Sequence, residues 1–378
     1  MKPDDSKSRR LVIIVGAGST YSDAYDQNLP VDKRPPLDKG FFKNITDPED
    51  KERVKNINEY MIKFYGLDIL DPENDAIENV MRFIYSDLFN ISQKENAEGA
   101  FQEMLHLYGK RIAETTNNLG PVNQLNLFKI IEYYLSQGFA PENITFVTYN
   151  HDLQIEKILE KIAFMGQYRN LMNLDVFPSY YCLSIEKGNI TKPKTKKHKS
   201  VKIFNVHITK EPAIKLLKMH GSLNWYSLHK DTNANPEKLS QSDRKILLTQ
   251  RQEIDLNMKV SQQVDQSAPY TLPIIVPPVI HKSEIFHDEI KTLWKHAEDA
   301  LQCAHEIVIF GYSCSLNDFE SVNLLKRAIR KNKNMGFLTV IDPSSEVLKR
   351  FVDLLKPNKL QYFPNAGNFI KYHMTRDN

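Results

Sequence analysis

Short, continuous apolar runs recur along the chain and constrain its fold more than any other feature. The first, Leu11–Val15, is rich in β-branched residues. A short run without polar alternation is typical of a strand buried on both faces, as in a parallel sheet. Comparable runs follow at Ile144–Thr148, Ala213–Met219, Leu272–Val276, Glu306–Phe310, Phe337–Ile341 and Leu360–Phe363.

The spacing of these runs predicts an α/β fold. Most runs end in Gly, Asn, Asp or Pro, and helical patterns separate several of them. This alternation predicts a Rossmann-like parallel sheet with helices on both faces. Ligands of such sheets bind beyond the carboxyl ends of the strands. Polar residues directly after the runs are therefore the first candidates for a functional site.

We predict a single domain over residues 1–378 with two interruptions. Residues from about 45 to 135 show helical periodicity without a strand run, which predicts a helical insertion. Residues from about 165 to 270 form a variable, partly polar insertion that contains the basic run Lys187–Lys202. This run is either a solvated loop or hairpin or a docking site for an anionic partner such as nucleic acid.

The composition excludes several classes of protein. No apolar run reaches the ~18 residues that a membrane span requires. The polar start lacks the apolar core of a signal peptide, so we expect a cytoplasmic protein without a membrane partner. The three cysteines form no Cys-x-x-Cys pair, so neither disulfides nor a metal site are predicted. A formal net charge of +3 is too small to indicate nucleic-acid binding by itself.

A glycine turn, Gly16-Ala17-Gly18-Ser19, follows the first run. Glycine lets the backbone turn sharply and approach a pyrophosphate, and the next helix offers free N–H groups at its positive end. We therefore predict that these four residues bind the phosphates of a dinucleotide. A plain strand-to-helix turn is the alternative, since Tyr21 stands where Gly-x-Gly-x-x-Gly has its third glycine.

A polar segment, Thr148–Asp152, follows the second run. Its Asn150 is uncharged and both donates and accepts hydrogen bonds. These properties suit a side chain that orients a water or a ribose hydroxyl beside a cationic sugar. We predict a catalytic role for Asn150 and a ligand-binding role for Asp152. The alternative for Asp152 is a cap of the helix that begins near Leu153.

A histidine, His220, ends the third run and precedes Gly221. The glycine lets the backbone expose the imidazole at the carboxyl edge of the sheet. An imidazole titrates near neutral pH, so it can take a proton from a hydroxyl or a water. We predict that His220 is the second catalytic residue, and a structural histidine is the alternative.

Two later runs end in further candidates. Gly311 and Ser313 follow the fifth run, and such residues at a strand end suit a phosphate or a ribose. Asp342 follows the sixth run, where an acidic side chain can accept hydrogen bonds from ribose hydroxyls. A turn before the next helix is the alternative for Asp342.

Taken in order, these motifs resemble those of the sirtuins, and in particular a bacterial sirtuin-like branch whose members hydrolyse NAD⁺. The resemblance covers nearly the whole chain in islands: Gly16–Ser19, Thr148–Asp152, Leu217–Asn224, Pro277–Lys282, Gly311–Ser313 and Asp342. It implies a Rossmann-like sheet that binds NAD⁺ as substrate. Asn150 and His220 match the catalytic Asn and His of the family.

The resemblance also implies roles for the other candidates. The turn at residues 16–19 matches the phosphate-binding turn. Ser313 matches a later phosphate or ribose contact, and Asp342 matches the position near the adenosine ribose. Lys282, beyond the double proline, is a further candidate for a phosphate contact.

The chain departs from the deacylating sirtuins in two places. It lacks their two Cys-x-x-Cys pairs for structural zinc. Their Pro-Asp-Phe-Arg loop has no clear counterpart, and either Asp32 or Asp38 could take the place of its Asp. We therefore expect an NAD⁺ glycohydrolase rather than a deacylase. The open alternatives are an NAD⁺-dependent protein deacylase, a non-catalytic NAD⁺- or ADP-ribose-binding subunit, and a DNA-binding or nuclease component.

Members of this branch serve in antiphage defence, where loss of NAD⁺ stops the infected cell. The resemblance implies an abortive-infection effector that acts as a homo-oligomer. Because it covers nearly the whole chain, we expect any sensor to lie on a partner chain. A HerA-type ATPase is the candidate for that partner.

Overall fold

Six parallel strands form the central sheet of the computed structural model, which describes residues 9–88, 92–165, 181, 184–186, 203–207, 214–228, 246–249, 271–276, 288–315 and 318–375. Strands are numbered along the chain. Those of the central sheet are β1 (Leu11–Val15), β2 (Ile144–Thr148), β5 (Lys215–Lys218), β9 (Glu306–Phe310), β10 (Phe337–Ile341) and β11 (Leu360–Phe363). Every neighbouring pair is parallel, in the order β11-β10-β9-β1-β2-β5. The predicted Rossmann-like parallel sheet is confirmed.

The strand order reverses beside β1. From β1 the chain adds β2 and β5 on one side, and β9, β10 and β11 later on the other. A crevice opens where the order of parallel strands reverses, and ligands usually bind there. Gly16 follows β1 and Gly311 follows β9, so the two glycines flank this crevice.

Helices cover both faces of the sheet, as predicted. Successive residues of a strand point to opposite faces, yet every residue of β1 is at most 1% exposed. One group of helices that pack together is α1 (Ala17–Asp26), α5 (Asn126–Ser136) and α10 (Ala366–Met374). A second group is α7 (Asp288–Cys303), α8 (Phe319–Lys331) and α9 (Ser345–Leu355). The apolar residues of α6 (Gln154–Phe164) join the same core.

A helical module with its own core follows α1. It comprises α2 (Pro48–Tyr65), α3 (Ile77–Asp87) and α4 (Lys94–Asn117). Asp47 caps α2 by accepting hydrogen bonds from two backbone N–H groups, and Gly66 ends it with a φ of 66°. The core of the module also includes Leu223 and Ile275. The insertion predicted for residues 45–135 takes in these helices and also α5, whose apolar side chains pack in the core of the sheet.

Asp23 of α1 lies at the start of α5. Its Oδ1 accepts a hydrogen bond from the backbone N–H of Asn126 at 2.7 Å. The side-chain amide of Asn126 donates to Asp26 at 2.7 Å. Burial raises the pKa of Asp23 to about 7, although the bond from Asn126 lowers it. A buried carboxyl group therefore joins α1 to α5.

Replacing Asp23 by Asn should stabilise the protein at pH 8 and not at pH 4. Folded Asp23 binds its proton more tightly than unfolded Asp23, so stability falls as the pH rises from 3.8 to about 7. Asn keeps the acceptor and cannot ionise. One pKa unit corresponds to about 1.4 kcal/mol, so the gain at pH 8 should reach a few kcal/mol in urea unfolding. The exposed Asp353→Asn is the control, and an equal gain at both pH values would contradict the prediction.

A second, antiparallel sheet lies between β2 and β9 in the chain. Its strands are β3 (Ser184–Glu186), β4 (Ile203–His207), β6 (Gly221–Leu228), β7 (Ile246–Thr249) and β8 (Thr271–Ile275), in the order β3-β4-β7-β6-β8. The prediction that the run Leu272–Val276 belongs to the parallel sheet is wrong, because β8 pairs antiparallel with β6. A short apolar run indicates burial but does not fix the direction of pairing. The basic run Lys187–Lys202 lies outside the described residues.

Within the ranges that the structure describes, no helix combines the length and the apolar character needed to cross a membrane.

Candidate active site

A cavity of about 800 Å³ lies at the carboxyl edge of the central sheet. The ends of β1, β9 and β10 form one side of it. The other side is formed by residues 36–39, by α3 and α4 of the helical module, and by Ile275 of β8. This volume falls within the range of roughly 300–1,000 Å³ that is typical of small-molecule sites. The cavity is therefore large enough for a ligand that spans the switch point of the sheet.

The glycine turn packs directly against the end of β9. A Cβ atom on Gly16 would lie 2.6 Å from the carbonyl oxygen of Gly311, and one on Gly311 would lie 2.0 Å from the backbone nitrogen of Ser19. Gly311 also has a φ of 61°. The backbone N–H of Gly18 donates to the Gly311 carbonyl at 2.9 Å. Close approach of the two strand ends explains these glycines, and it occupies the Gly18 amide within the protein.

Three of the four residues of the turn line the cavity. They are Gly16, Ala17 and Gly18. Ser19 is 2% exposed, and its hydroxyl donates to the carbonyl of Gly16 at 2.8 Å. The structure therefore does not bring the Ser19 side chain to the cavity wall, because that side chain closes the first turn of α1.

Asn150 lies behind the glycine turn and not in the cavity wall. Its Nδ2 is 3.1 Å from Thr20 Oγ1, 3.5 Å from Ser19 Oγ and 3.4 Å from the carboxylate of Asp152. A carboxylate only accepts hydrogen bonds, which is consistent with the amide nitrogen on that side. The other amide atom, Oδ1, is buried and has no hydrogen-bond partner among the described residues. The structure thus leaves one buried acceptor on this candidate catalytic residue.

Asp152 supports the loop that carries Asn150. Its Oδ2 accepts from the hydroxyl of Thr20 at 2.9 Å, and its Oδ1 accepts from the backbone N–H of Gln154 at 3.0 Å. Asp152 is 6% exposed and does not line the cavity. The structure therefore places it away from any ligand there, in the turn before α6, close to the capping role that was its alternative.

His220 lines the cavity and pairs with Asp318. Nε2 of His220 lies 3.2 Å from Oδ2 of Asp318, and both side chains are more than nine-tenths buried. Asp318 is also the N-cap of α8, where its carboxylate accepts from the backbone N–H and the hydroxyl of Ser321. Because a carboxylate accepts, the contact places a proton on Nε2. Nδ1 is then the basic nitrogen of the neutral ring.

His151 links the helical module to the loop of His220. Its Nε2 lies 2.9 Å from the carbonyl oxygen of His220, and its Nδ1 lies 3.1 Å from the hydroxyl of Tyr108 in α4. A carbonyl only accepts, so Nε2 carries the proton and Nδ1 of the neutral ring accepts from Tyr108. Both side chains line the cavity. Burial raises the pKa of Tyr108, so its phenol stays protonated.

The two aspartates of the loop after α1 lie in different surroundings. Asp38 lines the cavity, and its Oδ1 accepts from the backbone N–H of Glu78 at 2.9 Å. Burial raises the pKa of Asp38, and the bond from Glu78 opposes that shift. Asp32 lies outside the cavity wall, and its side chain is 43% exposed beside Lys33. Asp38 is therefore the aspartate of this loop that can meet a ligand.

Two stacked tyrosines form part of the wall beside His220. The rings of Tyr149 and Tyr312 lie 4.1 Å apart at an angle of 4°, and the ring of Tyr149 meets that of His220 edge-on at 5.1 Å. Both tyrosines are buried and line the cavity. Burial raises the pKa of each phenol. The pair gives this wall a rigid, uncharged aromatic surface.

The far end of the cavity contains Ser313 and Asp342. Ser313 is exposed at the cavity wall, and its carbonyl accepts a hydrogen bond from Arg350 at 2.5 Å. Oδ1 of Asp342 accepts from the backbone N–H of Ser344 at 2.9 Å. Burial raises the pKa of Asp342, while the Ser344 bond and Arg350 lower it. The structure thus brings both predicted residues to one end of the cavity, with Gly311 between them and the glycine turn.

Carboxyl groups outnumber cations in the part of the cavity wall that the structure describes. The acidic residues are Asp26, Asp38, Glu78, Asp318 and Asp342, and Lys39 is the lysine among the described lining residues. Such a wall favours positive charge in a ligand, because opposite charges attract more strongly where water is excluded. Among the described residues, no group of three or more His, Cys, Asp or Glu side chains could hold a metal ion.

Several residues of this wall were not predicted as site residues. They are Asp38, which was left open, and Glu78, Tyr108, His151 and Asp318. Asp318 lies five residues after Ser313 in the sequence. The available signal was an acidic residue of the kind that caps helices, but nothing in the sequence related it to His220. Lys282 and the double proline before it lie outside the described residues.

The parallel sheet, the cavity at its switch point and the His220–Asp318 pair define an α/β protein with a buried candidate active site. No protein-family model matches the chain, and no curated protein matches it. Among solved structures, the chain is similar to a sirtuin structure that is described as the structural basis of sirtuin substrate affinity. That similarity amounts to 14% identity over 100% of both chains, with a TM-score of 0.40. At this degree of similarity, the residues and contacts of the chain itself have to support any function.

Proposed function

We propose that the protein hydrolyses NAD⁺ at the bond between nicotinamide and ribose, giving nicotinamide and ADP-ribose. The observation that supports this most is the His220–Asp318 pair in a cavity that also includes the glycine turn and Asp342. A base at one point and a dinucleotide-sized space beside it suit this substrate. NAD⁺ is consumed in the reaction and is not a resident cofactor.

The far end of the cavity suits the ADP part of NAD⁺. Ala17 begins α1, so the positive end of this helix would face the pyrophosphate. The hydroxyl of Ser313 could donate to a phosphate or a ribose oxygen. Asp342 could accept from the hydroxyls of the adenosine ribose, as acidic residues of dinucleotide-binding folds do.

The chemistry needs a base and a negative environment. When the bond from ribose C1′ to the pyridinium nitrogen breaks, its electron pair neutralises the nicotinamide, and positive charge develops on the ribose. Asp38 and Glu78 would stabilise that charge from the cavity wall. Water then adds to C1′. Nδ1 of His220 would take the proton from a ribose hydroxyl or from this water, and Asp318 would stabilise the imidazolium that forms.

Asn150 would orient the water or the ribose. Its Nδ2 is held by Thr20 and Asp152, which leaves the buried Oδ1 as the acceptor. An unpaired buried acceptor costs roughly 1–3 kcal/mol. Because Asn150 does not line the cavity, this role requires that a water or a ligand hydroxyl reach Oδ1 behind the glycine turn, where its hydrogen bond would recover this free energy.

Replacing Asn150 or His220 by Ala should abolish nicotinamide release and leave the fold intact. The Asn150 variant loses the acceptor for water or ribose, and the His220 variant loses the base. The test is NAD⁺ turnover with identification of both products by chromatography, and circular dichroism monitors the fold. Asp32, which is partly exposed and lies outside the cavity wall, supplies the control: Asp32→Asn should keep the wild-type rate. Hydrolysis at the wild-type rate by His220→Ala would refute the assignment.

A non-catalytic NAD⁺- or ADP-ribose-binding subunit is the second candidate function. The observation that favours it is that the Asn150 side chain lies outside the cavity wall, while the Gly18 amide already bonds to Gly311. Tight binding of ADP-ribose without turnover of NAD⁺ would support this function over hydrolysis. NAD⁺-dependent turnover of an acyl-lysine peptide would instead support a deacylase.

An antiphage role, a homo-oligomer and a HerA-type ATPase partner remain proposals from the resemblance. If they hold, NAD⁺ in the cell should fall during phage infection only when the protein and its partner are both present. Light scattering of the purified protein tests the oligomer. Co-purification with the candidate ATPase tests the partner. Full activity of a monomer alone would count against both the oligomer and the partner.

A further inference from the structure

A buried ion pair lies behind the candidate active site. Lys218, the last residue of β5, is 1% exposed, and its Nζ is 3.0 Å from Oε1 of Glu156 in α6. The same Nζ donates to the backbone carbonyl of Asp152. Oε1 of Glu156 also accepts from the hydroxyl of Tyr181 at 2.8 Å. Burying two charges costs free energy that well-packed apolar side chains would avoid, so the pair calls for an explanation other than stability.

The ion pair lies where two active-site loops meet. The loop after β2 carries Asn150, and the turn after β5 carries His220. His151 bonds to the carbonyl of His220 at 2.9 Å, and the backbone N–H of Leu223 bonds to the carbonyl of His151 at 3.0 Å. Lys218 adds a third bond, to Asp152, which follows His151 in the loop after β2. Together these bonds join the two loops side by side.

We propose that Lys218 is a positioning residue for the candidate active site. Held in place by Glu156, its ammonium group fixes the backbone of Asp152 and thereby the distance between Asn150 and His220. An ammonium group suits this task, because it can donate to a carboxylate and a carbonyl at once. The inference rests on the proposed NAD⁺ hydrolysis for its kinetic test, but not for its structural test.

Asp152 is the residue through which a shift would spread. Its carboxylate accepts from Thr20 in the first turn of α1 and lies 3.4 Å from the amide of Asn150. Movement of the Asp152 backbone would therefore disturb both the Asn150 side chain and the helix that begins at the glycine turn. The effect on catalysis would come from geometry, because Lys218 and Glu156 do not line the cavity.

The test uses the double variant Lys218→Met/Glu156→Gln. Met has a similar length without a charge, and Gln keeps an acceptor for Tyr181. Because both charges are removed together, the double variant leaves no buried unpaired charge. We expect a melting temperature close to that of the wild type and faster hydrogen exchange at amides 149–153. We expect kcat for NAD⁺ to fall by about 10- to 100-fold, the cost of misplacing catalytic groups by an ångström or less. Affinity for ADP-ribose and KM should change little.

A second buried pair in the chain supplies the matched control. Nζ of Lys110 lies 2.8 Å from Oδ2 of Asp50 in the helical module, and both side chains are 9% exposed. Asp50 also has a carboxylate oxygen without a partner among the described residues, as Glu156 does. The double variant Lys110→Met/Asp50→Asn should keep the wild-type kcat and the wild-type exchange at amides 149–153.

Three results would overturn the inference. The first is wild-type exchange at amides 149–153 in the Lys218 double variant. The second is an unchanged kcat despite faster exchange, and the third is an equal loss of kcat in both double variants together with equal losses of melting temperature. If the wild type releases no nicotinamide even with its candidate partner present, the proposed function fails, and the exchange comparison alone decides whether Lys218 positions the loop.

Discussion

Replacing Asp318 by Asn should lower the rate of nicotinamide release by about 10²- to 10⁴-fold. Asn cannot supply the negative charge that stabilises a protonated His220, and its amide can hold the ring in the wrong tautomer. The helix that Asp318 caps should survive, because Asn is as good an N-cap as Asp. The measurement is kcat with saturating NAD⁺, together with thermal unfolding to show that α8 is intact.

The same substitution at another helix cap separates chemistry from stability. Asp47 caps α2 in the helical module, where its side chain accepts from the backbone N–H groups of Glu49 and Asp50. Asp47→Asn should leave kcat unchanged. Asp318→Ser, which keeps a capping hydroxyl but removes the contact with His220, should lose activity as Asp318→Asn does. Wild-type turnover by both Asp318 variants would show that His220 works without its partner.

The parallel sheet could be predicted from the sequence because strands that are buried on both faces consist of continuous apolar runs. Leu11–Val15 and the runs after it contain no polar alternation, and helices cover both faces of the strands that these runs form. The antiparallel sheet has a weaker signal in the sequence. Its strands depend on pairing between distant segments, and the run at residues 272–276 carries the same apolar signal as a parallel strand. The direction of pairing is decided by its neighbour, β6, and not by its own residues.

The candidate site was predictable at the strand ends and unpredictable away from them. Gly16, His220 and Asp342 each follow a run, and parallel strands bring their carboxyl ends to one edge. Asp318 and Tyr108 lie on helices that approach this edge from elsewhere, so spacing in the sequence cannot relate them to His220 and His151. The orientation of Asn150 was also beyond prediction, because it depends on a buried hydrogen-bond network.

The fold also restricts which residues can stand at the switch point, where β1 and β9 end side by side. The glycines at these strand ends serve either a bound pyrophosphate or the packing of the two strands. The two explanations predict different effects of a substitution at Gly311. If Gly311 served only a ligand, a methyl group there would weaken binding and leave stability unchanged. The contacts favour packing, since a Cβ on Gly311 would lie 2.4 Å from the carbonyl carbon of Gly18.

Gly311→Ala should therefore destabilise the protein even without a ligand. Its left-handed φ costs an L-residue about 1–2 kcal/mol, and the clash with backbone atoms that cannot rotate away adds about 1–3 kcal/mol. Two other glycines separate these terms. Gly66 has a φ of 66° and open space around its Cβ position, so Gly66→Ala should show the backbone cost alone. Gly99 lies in α4 without positive φ or close neighbours, so Gly99→Ala should stabilise by roughly 0.5–1 kcal/mol.

Urea unfolding of the three alanine variants measures this order directly. The loss in Gly311→Ala should exceed that in Gly66→Ala, because the first variant carries both terms and the second only one. The excess reports the contact between the ends of β1 and β9. An equal loss at the two positions would mean that the strand ends move apart at little cost. The glycine turn would then owe its residues to a ligand rather than to the packing of the sheet.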